Sequence, residues 1–234
     1  MSEESFILTN SPLLRLLLPL LGSAIGLGIA ANKKLVQQLA KALVLVFSGA
    51  FLLSITLVEL LPELYAGNPS NAGYWILLGV LLQIVLEYYS RGAEHGHIHH
   101  SNQQHFPYML WGSLCIHAFI EGAPLTEYPH LALGMMIHKI PIAMVLFLLI
   151  NDLKISRWKR WGGLGLFALM SPVGGLLFYY TPALQAINAP ILGVVIGVLL
   201  HIATTIIFES SEGHRFDKMK LASILLAIAL AIVL

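Results

Sequence analysis

The chain has 234 residues, 57% hydrophobic and only 11% charged, with a formal net charge of +1. Soluble domains carry roughly 45–50% apolar and about 25% charged residues, so this composition excludes an ordinary soluble domain. The near-neutral charge gives no nucleic-acid footprint. A mean hydropathy of +0.80 and repeated apolar runs near helix-spanning length imply an integral membrane protein of helices rather than a barrel. The single cysteine, Cys115, has no internal partner for a disulfide. Glu3 and Glu4 stand where a signal peptide would be basic, so no cleaved leader is expected.

Eight apolar segments follow in chain order. The first runs from Leu13 to Ala31 and ends at Lys33 and Lys34. The second, Ala42 to Leu61, ends at Pro62 and Glu63. A Gly67-Asn68-Pro69-Ser70 turn precedes the third, Ala72 to Tyr89. A polar loop from Arg91 to His105 carries His95, His97, His99, His100 and His105. The fourth segment spans Pro107 to Thr126, the fifth His130 to Ile150, the sixth Trp161 to Thr181, and the seventh Pro190 to Phe208. The eighth, Leu221 to Leu234, reaches only about 21 Å as a helix against a hydrocarbon core of roughly 30 Å. It needs Met219 and a snorkelling Lys220 to approach a full span.

Lys and Arg set the expected orientation. The loops after segments 1, 3, 5 and 7 hold Lys33, Lys34, Lys41, Arg91, Lys154, Arg157, Lys159, Arg160, Arg215, Lys218 and Lys220. Arg15 lies on the other side, and Lys139 lies within a span. The positive-inside rule then puts the odd loops, including the His-rich loop at 91–105, in the cytoplasm and both termini outside. That topology requires an even number of spans.

The chemistry concentrates in segments 4 and 5. His117 and Glu121 are four residues apart and share one helix face. Gly122 and Pro124 follow, and His138-Lys139-Ile140-Pro141 lies one segment later. Each proline frees the carbonyl four residues back, at Ile120 and Ile137. Broken helices bearing ligands at the breaks are a transporter signature. Ionisable groups at membrane depth are costly and mark function by default, and His with carboxylate points to a divalent metal. Packed core histidines are the alternative reading. Lys139 either pairs with Glu121, occupies a second cation position, or snorkels to an interface.

Other ionisable residues lie near span ends. Glu59 and Glu63 flank Pro62 and could pass a cation at a pore mouth, or form a solvated helix end. His201 and Glu209 roughly share a face of segment 7, and Glu87 ends segment 3 on the same side. The clustered histidines His95, His97, His99 and His100 fit weak, exchangeable metal capture. The chain has no zincin, Walker A or nucleophile-elbow motif.

At these residues the chain resembles the Zrt/Irt-like protein (ZIP) family of divalent-metal transporters. His117-Ala118-Phe119-Ile120-Glu121-Gly122 is similar to the family's span 4 pattern, and His138-Lys139-Ile140-Pro141-Ile142-Ala143 to its span 5 pattern. Ser171-Pro172-Val173-Gly174 is similar to a span 6 element, and Leu57 to Glu63 to the acidic end of span 2. The resemblance covers nearly the whole chain. It implies an all-α fold of eight spans in a 3+2+3 arrangement, with spans 1–3 and 6–8 related by a pseudo-two-fold. It also implies spans 4 and 5 as the core of a moving element, and often a homodimer. By position, the metal ligands would be His117, Glu121 and His138. The family's second metal uses positions that here hold Ala118, Lys139 and Ile142. The resemblance therefore implies a single metal, with the Lys139 ammonium where a second ion would sit.

The resulting expectation is a single-domain transporter of a divalent transition metal into the cytoplasm, across a plasma membrane or bacterial inner membrane. Zn²⁺ is the first choice, and Fe²⁺, Mn²⁺, Co²⁺ and Cd²⁺ suit the same ligands. Glu59, Ser171 or His201 would complete the shell. The metal is cargo rather than cofactor, and no enzyme activity is expected. The competing classes are a membrane zinc hydrolase using His117, His138 and His201 with Glu121 as base, and a metal-sensing receptor.

Overall fold

A computed structural model describes residues 11–32, 41–67, 70–90, 107–151, 153–209 and 218–233. Among these residues the chain is helical and contains no strand. Eight long helices are present: α1 (Leu17–Ala31), α2 (Lys41–Ile55), α3 (Ala72–Ser90), α4 (Tyr108–Gly122), α5 (Pro129–Asn151), α6 (Arg157–Tyr180), α7 (Asn188–Glu209) and α8 (Lys218–Val233). Six of the helical stretches are long and apolar enough to cross a membrane, so the chain is an integral membrane protein by length and composition. The other two helices fall short on length: α4 has 15 residues and α8 has 16.

Prolines shape the helices less abruptly than the sequence suggests. Segment 2 does not stop at Pro62. It passes through a π-helical turn, Thr56–Leu60, and continues as a six-residue helix, Leu61–Ala66. A proline has no N–H to bond and crowds the carbonyl four residues back, here Val58. The wider turn absorbs that clash without ending the helix. Pro141 likewise lies inside an uninterrupted α5, so the expected break there is absent. On the α4 side the expectation holds in part, because α4 gives way at Gly122 to a 3₁₀ turn, Ala123–Thr126.

The closest pairings sort the helices into two groups, which α2–α5 and α3–α4 contacts join to each other. In one, α1 packs on α5, α4 on α6, and α6 also on α1 and α5. In the other, α3 packs on α7, α2 on α8, and α2 on α7. Lipid offers little hydrophobic drive between helices, so close backbone approach at small residues does the joining. A Cβ on Gly122 would sit 2.0 Å from the Ser171 carbonyl oxygen, and one on Gly174 2.0 Å from that of Phe119. Only glycine fits at either place, which locks α4 to α6. The same device joins α1 to α5 at Gly22 and α3 to α7 at Gly79.

Within the groups, most of these pairings map onto one another if helices 1, 2 and 3 are exchanged with 6, 7 and 8, and 4 with 5; the α5–α6 contact is the exception, because α1 does not pack on α4 in the same way. The core divides into two apolar clusters. One gathers Phe51, Leu52, Leu60, Leu125, Leu131 and Met135. The other gathers Leu114, Ala118, Ile142, Phe147, Ile150 and Leu164. Along α5, residues 138–139 fall between the two clusters, and on α4 Glu121 lies between Ala118 of one and Leu125 of the other.

Candidate metal centre

His117 and Glu121 share a face of α4, one turn apart, with Nε2 and Oε1 2.7 Å from each other. Neither atom makes an aligned hydrogen bond, so the two atoms converge closely without ideal hydrogen-bond geometry. His138 of α5 brings its Nε2 to 3.9 Å from the same Oε1. One ligand atom from each of the three residues lies within 4.8 Å of the other two. Ligand atoms around a tetrahedral zinc, with bonds of about 2.0–2.1 Å, stand about 3.3 Å apart. A modest inward movement of the His138 side would close the set on an ion. All three side chains are at most 1% exposed.

The other carboxylate oxygen has a different partner. Lys139 Nζ donates to Glu121 Oε2 at 2.8 Å. Lys139 is 1% exposed, and its ammonium lies 5.1 Å from the Phe167 ring centroid, within cation–π range. Of the roles open to Lys139, the structure selects pairing with Glu121, and the side chain does not snorkel. The pair leaves one carboxylate oxygen satisfied by a cation and one facing two imidazoles.

Gln83 of α3 completes the surroundings. Its Oε1 lies 3.2 Å from His117 Nδ1 and the side chain is fully buried. With an acceptor at Nδ1, that nitrogen carries the proton and the Nε2 lone pair is left free to ligate. Fixing the tautomer from outside the ligand set is the usual arrangement at metal-binding histidines. Gln83 was not singled out in the sequence. Its signal was a lone amide inside an apolar segment, one turn before Glu87.

Two of the expected residues, Glu59 and His201, stand elsewhere, while Ser171 lies against α4 next to Glu121. Ser171 is fully buried on α6, against the α4 backbone at Gly122, and its Oγ makes no hydrogen bond. Glu59 does not join the central group, because its Oε2 faces His130 Nδ1 at 3.3 Å. His201 also has its own partner, Glu87 Oε2 at 2.5 Å from its Nε2, and so lies outside the central group. The histidines His95, His97, His99, His100 and His105, and the Glu209 side chain, lie outside the described residues.

The end of the bundle holding the α4–α5 turn collects further polar contacts. Arg15 Nη1 donates to the Thr126 carbonyl at 2.6 Å. Asn188 at the start of α7 donates to Glu127 Oε2 at 2.9 Å. Burial first, and then the carboxylates of Glu127, Glu63 and Glu59, push the Tyr128 phenol up to about 12. No protein-family model and no curated protein matches the chain.

Proposed function

We propose that the chain is a ZIP-like transporter that carries a divalent transition metal, Zn²⁺ foremost, toward the cytoplasm. The observation that carries this reading is the buried His117–Glu121–His138 group, set among the two apolar clusters of a membrane helix bundle. His117 and His138 bind as neutral imidazoles and Glu121 as carboxylate through Oε1. Three protein ligands leave a position for water, which suits release. Lys139 holds Oε2, so the carboxylate offers one oxygen to a single metal.

The helix pairing supports a 3+2+3 arrangement with spans 1–3 and 6–8 related by a pseudo-two-fold. In this reading all eight helices span, with both termini outside, and α1, α4, α5 and α6 move as one body against α2, α3, α7 and α8. Such rocking around a midplane site is the usual route to alternating access. The His-rich loop receives the ion on the cytoplasmic side, and two copies form a homodimer.

The hydrolase reading needs His201 in the shell and an open cavity. The pairing of His201 with Glu87 and the near-zero exposure of the triad weigh against it. Zn²⁺ flux into liposomes containing the protein tests the proposal. Uptake above empty vesicles, abolished by His138→Ala, is expected. Metal binding at one equivalent with no flux would overturn transport and favour a sensor.

A further inference from the structure

A second His–carboxylate pair lies away from the triad. Glu59 sits in the π-helical turn of the second span, Thr56–Leu60. His130 is in the first turn of α5. Glu59 Oε2 and His130 Nδ1 are 3.3 Å apart, with side chains 26% and 40% exposed. Glu59 Oε2 is itself shielded and makes no aligned hydrogen bond. Two atoms bound to one tetrahedral ion by bonds of about 2.0–2.1 Å would stand about 3.3 Å apart.

The surroundings add negative charge. Glu59, Glu63 and Glu127 all act on the Tyr128 side chain, so three carboxylates gather at this end of the bundle. Arg15, at the same end, donates to the Thr126 carbonyl. Glu59 lies within the π-helical turn, and such turns recur at functional sites.

We propose that Glu59 and His130 form a second divalent transition-metal site at this mouth of the bundle, half open to solvent and separate from the central triad. Water fills its remaining positions. With two protein ligands instead of three, it binds more weakly and exchanges faster than the triad. In uptake it captures the hydrated ion before the ion reaches His117, Glu121 and His138, a role that rests on the transporter reading. The site itself does not. It also takes one ligand from each helix group, Glu59 from the group of α2 and His130 from that of α5.

Co²⁺ binding to the full chain in detergent tests it. His130→Ala and Glu59→Gln are each expected to lose one equivalent relative to the parent, whatever the loop histidines contribute. The same loss is expected in a His117→Ala/His138→Ala background. His130→Cys supplies a thiolate ligand in place of the imidazole. It is expected to restore the equivalent and give a cobalt–thiolate charge-transfer band, absent from the parent and from Glu59→Gln/His130→Cys. Unchanged stoichiometry in His130→Ala and Glu59→Gln, or a folded His130→Cys protein without that band, would leave only an ion pair and overturn the site. If the equivalents are lost as expected but wild-type liposomes show no flux, the site stands and transport falls.

Discussion

Lys139 and Glu121 form a fully buried ion pair, Nζ to Oε2 at 2.8 Å, in which the acid spends only half of its carboxylate. The other oxygen faces His117 and His138. One side chain thus anchors a structural pair and offers a ligand atom, and neither role excludes the other.

Breaking that pair from one side should destabilise the fold. Lys139→Met leaves the Glu121 charge buried with its cation gone, an effect of about 3–5 kcal/mol. Glu121→Gln/Lys139→Met removes both charges and should recover most of that loss. Thermal unfolding in detergent reads the difference. Equal melting temperatures for the single and double variants would contradict the pairing.

The Gln83 contact predicts an effect on metal without contact to metal. Gln83→Leu removes the acceptor at His117 Nδ1, and metal affinity should fall about 10–100-fold with little change in melting temperature. Competition against a chelator of known affinity measures it. An unchanged affinity would mean that the amide does not orient the imidazole.

Glycine substitutions should divide sharply by location. Gly122→Ala drives a methyl to 2.0 Å from the Ser171 carbonyl and should cost about 1–3 kcal/mol as α4 and α6 separate. Gly28 in α1 has open space around its would-be Cβ. Gly28→Ala should be neutral or stabilise by up to about 1 kcal/mol through helix propensity. Similar melting shifts for the two would refute the close α4–α6 contact.

Acid should release metal from the triad. Protons compete for the two imidazoles and for Glu121, so binding weakens as pH falls. Zn²⁺ dialysis across a pH series shows whether affinity drops with acidification. In His117→Ala/His138→Ala the high-affinity component should be missing at every pH.

The sequence alone determined the class of molecule. Hydropathy and run length dictate membrane helices, because backbone groups in lipid must bond within their own segment. It also paired His117 with Glu121, since helical periodicity puts residues four apart on one face. Its limits begin where a contact depends on a neighbouring helix. Nothing in the local pattern says that α5 turns His138 toward Glu121, that Lys139 reaches Oε2, or that Gln83 of α3 meets His117. Glu59 and His201 looked like further ligands by type and depth, yet helix rotation gave each a different partner, His130 and Glu87.

The prolines show the same division. Pro62, Pro124 and Pro141 each had to remove a backbone bond. Whether that loss ended a helix, widened it into a π turn or left it running was decided by the packing of the surrounding helices. Periodicity is a property of one segment, and it fixed which residues lie together along a helix. Convergence is a property of several helices and their close glycine contacts, and only the tertiary structure brought two imidazoles, one carboxylate and one ammonium to a single point.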